Sequence, residues 1–546
     1  MGLKTNVLRG KEHVGENLIE ITDGKTKILI ECGVSLNPSE RSQEIERAVL
    51  STHYDAIIIS HSHLDHAGLL KSEVKADAIY MGESTYKLLT ITESICENNR
   101  QWVRFFESER RFYVGDVEII CHLCDHSSYD SYMIEIRKDE EIILYTGDFR
   151  SNGRKSFKAL LERLPNKINT LITEETNPLE HNYTERYLEE KAYEIMRAHK
   201  RVFFLQSRQN IDRLVSFYKA TRRTGKPFIM GTGSAEISRI GKSIPNPQGF
   251  GDCYTYFRYR VGDFEYTSSK DKYKSRLIGR REIATFDRFS MQVMSGMGDY
   301  LKKLSNMTDL KGSVLIYSMW QGYKESEGVK RFLAEVRELG IEVIDLHVSG
   351  HADKATRKML VDRVNPDNII SVHREKEEID ISKPITVIDI ETDGIRCENG
   401  DADRIIKIEA VKLENKKITE KFSTLVASDR RLNSAIISIT GIKNEDLENA
   451  PSIDNALTNL YLFSYGTQIV VYNKNYAGNF LNYYARERLL NISFPVSLDI
   501  LLLAREKLNG KIKRFRLRDV LGYFGEPFEN SYVESEAKVL FLLQKL

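Results

Sequence analysis

Six consecutive residues, His61-Ser62-His63-Leu64-Asp65-His66, carry three imidazoles and one carboxylate. His61 and His63 can serve one metal ion, and Asp65 and His66 a second, if the backbone turns sharply between them. The flanking residues supply a frame for such a turn. Asp55-Ala56-Ile57-Ile58-Ile59-Ser60 reads as a short buried strand, and Ala67-Gly68-Leu69-Leu70 as the start of a helix. Metal sites of α/β proteins commonly sit on loops at strand ends, so the motif predicts an α/β fold. A solvated polar loop would account for one histidine, but not for this set.

At 546 residues the chain exceeds one hydrophobic core, and two or three domains are expected. The net charge of +1 means that a nucleic-acid partner must be bound by local patches. The six cysteines are scattered, which argues against a disulfide framework and for a reducing, cytoplasmic setting. Cys121 and Cys124 form a C-x-x-C without a second pair and read as strand residues leading to His126. The N-terminus lacks the apolar core of a signal peptide. No apolar run approaches membrane-spanning length, so no membrane partner is expected. All twelve histidines lie at or before His373, so the two ends of the chain must differ in chemistry.

Three more metal-capable side chains stand where strands should end. His126 lies in Cys124-Asp125-His126-Ser127-Ser128. Asp148 follows Ile142-Ile143-Leu144-Tyr145-Thr146-Gly147, and His373 follows Ile369-Ile370-Ser371-Val372. With the histidine motif, this set resembles the metallo-β-lactamase superfamily. The resemblance implies that His61, His63 and His126 bind one zinc, that Asp65, His66 and His373 bind another, and that Asp148 bridges them. Manganese can substitute in such a set. Glu31 stands where the superfamily usually has an Asp that supports a ligand histidine from behind.

The stretch between Asp148 and His373 is far longer than a plain hydrolase of this superfamily needs. It resembles the β-CASP insertion of nucleic-acid-processing members such as ribonuclease J and the mRNA 3′-end-processing endonucleases. Leu171-Ile172-Thr173-Glu174-Glu175-Thr176 resembles their first extra motif at Glu174. His347-Val348-Ser349-Gly350-His351-Ala352-Asp353 resembles the second, and His373 the third. Ser207-Arg208-Gln209-Asn210 and Tyr317-Ser318-Met319-Trp320-Gln321-Gly322-Tyr323 are also similar to bacterial members. The likeness covers roughly residues 1–378. It implies an αββα sandwich (1–176 and 346–378) with an inserted α/β domain (177–345).

The chemistry implied by the resemblance is phosphodiester hydrolysis by a zinc-activated water. Asp65, His351 and Glu174 form the catalytic group. His351 protonates the leaving oxygen, Glu174 orients it, and the Ser349-Gly350 turn offers backbone N–H groups to a phosphate. A histidine at the third motif resembles the RNA-processing branch, so single-stranded RNA is the expected partner, with DNA as the alternative. The stretch from Tyr254 to Arg281 interleaves cations with aromatic rings, as single-strand binding requires. The same stretch also suits a solvated hairpin with an aromatic core face. Arg374, after His373, is a candidate phosphate contact.

Residues 379–384 read as a linker, and residues 385–546 as a separate domain. In Ile385-Thr386-Val387-Ile388-Asp389-Ile390-Glu391, the two acids alternate with apolar residues and so share one face. This resembles the first metal-binding pair of DEDD-type 3′–5′ exonucleases, on an RNase H-like α/β fold. Phe422-Ser423-Thr424-Leu425-Val426, Ile439-Thr440-Gly441-Ile442 and Ala450-Pro451-Ser452-Ile453 resemble the proofreading subunit of DNA polymerase III in the same order. The site departs from that family. Ala477 stands where the second motif has a metal-binding Asp, and Ser531 and Glu536 stand at the His and Asp of the third. Tyr532 and Glu536 keep the spacing of a tyrosine subtype. An inactive site is expected, with Asp389, Glu391, Glu536 and Tyr532 as its remnant. Mg2+ or Mn2+ is expected there only if the site works. Such a domain can hold single-stranded nucleic acid, a protein partner or a second copy of the chain.

The reading as a whole is a two-zinc ribonuclease with an appended exonuclease-like binding domain. The alternatives are a DNA nuclease of the same fold, a dual nuclease with a working 3′–5′ exonuclease, and a non-catalytic RNA-binding scaffold.

Overall fold

The computed structural model describes every residue except 1, 12–14, 36–41, 94–97, 178, 180, 258–269, 375–378, 399–400, 489, 491, 509 and 530. The chain forms two compact units, one of Met1–Pro178 with Asn182–Glu375 and the other of Leu179–His181 with Lys376–Leu546.

Two six-stranded sheets stack in the first unit. In spatial order, one runs Lys4–Arg9, Leu18–Thr22, Lys27–Ile30, Ala56–Ile58, Ile79–Met81 and Val103–Phe105. The other runs Pro366–Val372, Ile168–Glu174, Glu141–Tyr145, Ser131–Lys138, Val117–Cys124 and Phe112–Val114. Ile19, Ile28, Ile30 and Ile58 of the first sheet meet Ile119, Ile134, Ile136 and Ile143 of the second in one core. The outer faces carry cores of their own with helical residues such as Leu69 and Leu89 on one side and Leu160 and Leu360 on the other. This is an αββα sandwich. The last strand, Pro366–Val372, pairs in parallel with Ile168–Glu174, so the chain returns to the sandwich after a long excursion.

That excursion forms a third, wholly parallel sheet of seven strands. Its order is Leu277–Ile278, Cys253–Tyr256, Phe228–Gly231, Phe289–Val293, Arg201–Leu205, Val314–Tyr317 and Glu342–Asp345. The inner strands are near-continuous apolar runs because helices cover both faces. Thr184 caps the helix Glu185–Ala198 through the Tyr187 N–H, and Asn210 caps Ile211–Arg223 through the Arg213 N–H.

The second unit is a five-stranded mixed sheet in the order Lys417–Leu425, Ile405–Glu414, Ile385–Thr392, Gln468–Val471 and Val496–Asp499. Apolar clusters cover both of its faces. No helix among the described residues is long and apolar enough to cross a membrane.

Two local expectations need correction. The helix expected from Ala67 begins earlier, as one turn over Leu64–Ala67, and then tightens into a 3-10 turn at Gly68–Lys71. Asp65 and His66 therefore lie on helical backbone. Gly68 is a poor helix former, and at Gly33 a Cβ would stand 1.8 Å from Asp65 O, so the motif packs against bare backbone. The described ends of the stretch from Tyr254 to Arg281 do not pair as a hairpin either. Cys253–Tyr256 and Leu277–Ile278 pair in parallel, and residues 258–269 lie outside the described residues. Tyr256 and Tyr273 are buried, with the Tyr273 hydroxyl donating to Glu236. These rings build the core and are not free to stack on bases.

Candidate metal centre

Five loops at strand ends converge on one point of the sandwich. The strand Ala56–Ile58 leads to His61, His63, Asp65 and His66, and Val117–Cys124 leads to His126. Glu141–Tyr145 leads to Asp148, Ile168–Glu174 ends on Glu174, and Pro366–Val372 leads to His373. All of these side chains are buried except His63, which is partly so.

Asp148 is the hub. Its Oδ2 lies 3.8 Å from His61 Nε2, 3.3 Å from His66 Nε2 and 3.6 Å from His126 Nε2. It lies 3.7 Å from His351 Nδ1 and 3.9 Å from His373 Nε2. His63 Nδ1 is 3.1 Å from His61 Nε2 and 3.2 Å from His126 Nε2. Asp65 Oδ2 is 2.9 Å from His373 Nε2 and 3.7 Å from His66 Nε2. Four overlapping donor groups result: His61-His63-His126-Asp148, Asp148-Glu174-His351-His373, Glu31-His61-His66 and Asp65-His66-His373.

The hydrogen bonds behind these rings fix which nitrogens face inward. His126 Nδ1 donates to Gly350 O at 2.7 Å, because a carbonyl can only accept. Its Nε2 is therefore a lone pair. His63 Nδ1 faces this nitrogen and His61 Nε2 and can donate to only one. Thr176 Oγ1 donates to His373 O at 2.7 Å and sits 2.5 Å from His373 Nδ1. In a neutral ring that leaves His373 Nε2 as a second lone pair, 2.9 Å from the Asp65 carboxylate. Asp148 Oδ1 is buried without a hydrogen-bond partner. Lone pairs and carboxylates aimed at one another in a dry site are costly unless a cation lies between them. The donor set thus fits divalent ions.

Electrostatics divide the histidines. Burial pushes His61 and His126 well below the usual imidazole range and His63 to about 4, so these three are neutral, as metal ligation requires. Burial also opposes charge on His66, but the carboxylates of Asp148, Asp65 and Glu31 outweigh it and raise its pKa. His351 behaves alike. Burial lowers its pKa, Glu174 and Asp148 raise it, and the result is about 9. Glu174 Oε2 lies 2.9 Å from His351 Nδ1, while its Oε1 accepts from the Phe149 and Ala352 N–H groups. Glu31 Oε1 lies 3.0 Å from His66 Nδ1. Glu31 and His373 both take left-handed backbone, at φ 63 and 54, a strained conformation for such residues.

In the second unit, Asp389 and Glu391 share one face of the strand Ile385–Thr392, across from Glu409 and Lys407. Glu536 is buried in the helix Tyr532–Leu543. Burial and Glu391 push Asp389 up to about 7, and burial, Asp389 and Asp499 raise Glu536 well above its usual range. Ala477 belongs to the apolar core. Asp499 is another acid close to Glu536. Its oxygens accept from the Leu501, Leu502 and Lys474 N–H groups. Tyr532 lies half-exposed against the Phe528 ring. Among the described residues, no three-residue His/Cys/Asp/Glu donor group forms in this unit.

Known proteins are similar to both units. The metallo-beta-lactamase superfamily profile matches residues 15–79, and an exonuclease profile matches residues 386–529. Transcription termination factor FttA of Thermococcus kodakarensis is 23% identical over 444 residues, covering 69% of this chain and 68% of that protein. Ribonuclease J of Mycolicibacterium smegmatis is 22% identical over 407 residues, covering 68% and 69%. The chain joins a metallo-β-lactamase/β-CASP region to an RNase T-type exonuclease domain. The exonuclease domain is similar to a PolC-type DNA polymerase III of Caldanaerobacter subterraneus, at 32% identity over 158 residues and 29% of this chain. The match spans only 11% of that polymerase. A solved Enterococcus faecalis V583 protein of unknown function shares the fold at a TM-score of 0.55 and 16% identity, over 69% of this chain and 95% of its own.

The metallo-β-lactamase/β-CASP region also contains supporting residues that sequence reasoning did not single out. Ser60 Oγ binds both Glu31 and His61 Nδ1, Asn17 Nδ2 lies 3.2 Å from His66 Nε2, and Thr176 backs His373. Arg150, fully buried, pairs with Asp125, Glu185 and Asp212. It thereby ties the Asp148 and His126 loops to the inserted sheet. Arg374 is half-exposed, with Nε donating to Lys11 O.

Proposed function

We propose that the metallo-β-lactamase/β-CASP region is a zinc-dependent ribonuclease that hydrolyses phosphodiester bonds of single-stranded RNA in the cytoplasm. The observation that carries this reading is the Asp148 carboxylate, ringed by five histidines within 3.9 Å, with His351 held beside it by Glu174. His61, His63, His126 and Asp148 would hold one ion, and Asp65, His66, His373 and Asp148 the other. When bound, two zinc ions supply Lewis acidity toward water and the scissile phosphate; manganese has compatible ligand chemistry.

The remaining roles belong to the protein. Glu31 and Ser60 hold His66 and His61 in the orientation their inward nitrogens need. His351 gives Nδ1–H to Glu174, which leaves Nε2 as the nitrogen that can pass a proton to the leaving oxygen. The carboxylates of Glu174 and Asp148 keep His351 charged until then. The names of ribonuclease J and of a transcription termination factor among the relatives support a nucleic-acid substrate.

The exonuclease domain is assigned a binding role, toward nucleic acid, a protein partner or a second copy of the chain. The methyl of Ala477 supplies no carboxylate for a metal pair. The test is one end-labelled oligonucleotide prepared as RNA and as DNA, with EDTA removal and zinc re-addition. RNA cleavage that EDTA abolishes and zinc restores supports the reading. Preferential cleavage of DNA replaces it with the DNA nuclease.

A further inference from the structure

The loops that follow the parallel strands of the inserted sheet end beside the metal centre. After Arg201–Leu205, the chain brings Gln209 Oε1 within 3.2 Å of Ser62 Oγ, inside the histidine motif. The neighbouring strand, Val314–Tyr317, ends at Ser318, whose N–H donates to Leu205 O at 2.9 Å. On its other side, Ser318 Oγ donates to Leu346 O at 2.5 Å. From Leu346 the chain runs to Gly350, whose carbonyl holds His126. The loop from Ser318 to Ser326 therefore leaves the sheet between a segment that touches the histidine motif at Ser62 and one whose carbonyl holds the candidate ligand His126.

Two aromatic rings stand exposed on this loop. Trp320 is 57% and Tyr323 44% exposed, and the rings meet edge to face at 5.4 Å. Exposing two adjoining rings forgoes hydrophobic stabilisation, yet the loop is built to present them. A Cβ at Gly322 would strike the Trp320 ring at 2.2 Å, so only glycine lets that ring lie along the backbone. The Tyr317 hydroxyl donates to Trp320 O at 3.2 Å, and Ser326 Oγ donates to Tyr323 O at 2.8 Å. On the adjacent loop, the Arg208 guanidinium rests on Met294 Sδ, with no carboxylate partner among the described residues.

We propose that Trp320 and Tyr323 form a stacking platform for the bases of a single-stranded nucleic acid whose scissile phosphodiester lies at the metal centre. This inference rests on the nuclease reading above and names the part of the site that holds the bases. Stacking on aromatic faces tolerates any sequence and needs unpaired bases. Arg208 supplies a cation for the backbone of the same strand.

The experiment uses the full chain and a labelled single-stranded RNA of mixed sequence. Affinity is read by fluorescence anisotropy in EDTA, and KM and kcat are read with metal present. The variants are the double substitution W320A/Y323A and the aromatic control W320F/Y323F. The alanine variant is expected to weaken binding and raise KM by about ten-fold, with kcat within about two-fold of wild type. The phenylalanine variant should stay near wild type. On an oligonucleotide with abasic sites beside the scissile bond, wild type and the alanine variant should bind alike. If wild type cleaves while the alanine variant keeps its affinity, the platform is wrong and the nuclease reading stands. An equal loss on intact and abasic strands marks a structural effect and also overturns the platform. If wild type neither binds nor cleaves RNA or DNA, the nuclease reading fails and takes this inference with it.

Discussion

Replacing Glu185 by Gln tests how the inserted sheet is fastened to the metal centre. Glu185 is fully buried, as are its partners Arg150 and Arg213. Its Oε1 accepts from Arg213 Nη2 at 3.0 Å and from Arg150 Nη1 at 3.3 Å, and its Oε2 from Ser216 Oγ at 3.0 Å. Burial works to raise its pKa, but the two arginines outweigh it and hold the group at about 2 against an ordinary 4.5. A carboxyl depressed on folding contributes stability that is full above the unfolded value and lost as pH falls toward the folded one. That difference corresponds to roughly 3 kcal/mol, near the about 3–5 kcal/mol lost when a buried pair is broken. Urea unfolding followed by circular dichroism at pH 7 should show Glu185→Gln to be less stable by about that amount. The gap should narrow as pH falls below 4.5 toward 3. Cleavage should fall too, since Arg150 also holds Asp125, the neighbour of His126. A gap below about 1 kcal/mol, or one that does not change with pH, would refute the reasoning.

Three further outcomes follow from the contacts described. Glu31→Ala removes the partner of His66 Nδ1 and should weaken zinc affinity about 10- to 100-fold, read by competitive chelator titration. Glu174→Gln leaves the inward nitrogens intact but no longer holds His351 charged, so cleavage should drop roughly 10²- to 10⁴-fold at unchanged zinc content by mass spectrometry. Asp389 has its pKa raised from 3.8 to about 7, so its ionisation costs stability increasingly from pH 4 to pH 7. Its side chain is only partly buried, which screens the penalty. Asp389→Asn should therefore melt a degree or two higher than wild type at pH 8 in EDTA, roughly the scale of a sub-kcal/mol change, and at the same temperature as wild type at pH 4.

The strand-end placement of His61, His63, Asp65, His66, His126, Asp148 and His373 was legible from the apolar runs before them, and their meeting at one site was implied by the resemblance to the metallo-β-lactamase superfamily. Strand ends of stacked sheets collect on one edge. Glu31 and Glu174 were legible for the same reason. Ser60, Asn17, Thr176 and Arg150 were not. Their contacts depend on how loops fold over one another, and a lone polar residue in a loop carries no periodicity to read. The early helical turn at Leu64 was hidden because four residues are too few to show a helical repeat. In the aromatic stretch from Tyr254, Tyr256 and Tyr273 are core rings, because a buried parallel strand is apolar on both faces and its pattern does not show which side meets solvent. In the exonuclease domain, the alternation of Asp389 and Glu391 showed their shared face. That Asp499 accepts from backbone N–H groups depends on how its loop and helix N-terminus fold, which no local pattern encodes.

The most direct test of the central claim is cleavage of one end-labelled 5′-phosphorylated RNA by wild type, Asp65→Ala and Asp389→Ala in parallel. The account predicts that wild type and Asp389→Ala cut the RNA and that Asp65→Ala does not. Cutting that survives Asp65→Ala and disappears with Asp389→Ala would contradict it and move the working site to the exonuclease domain.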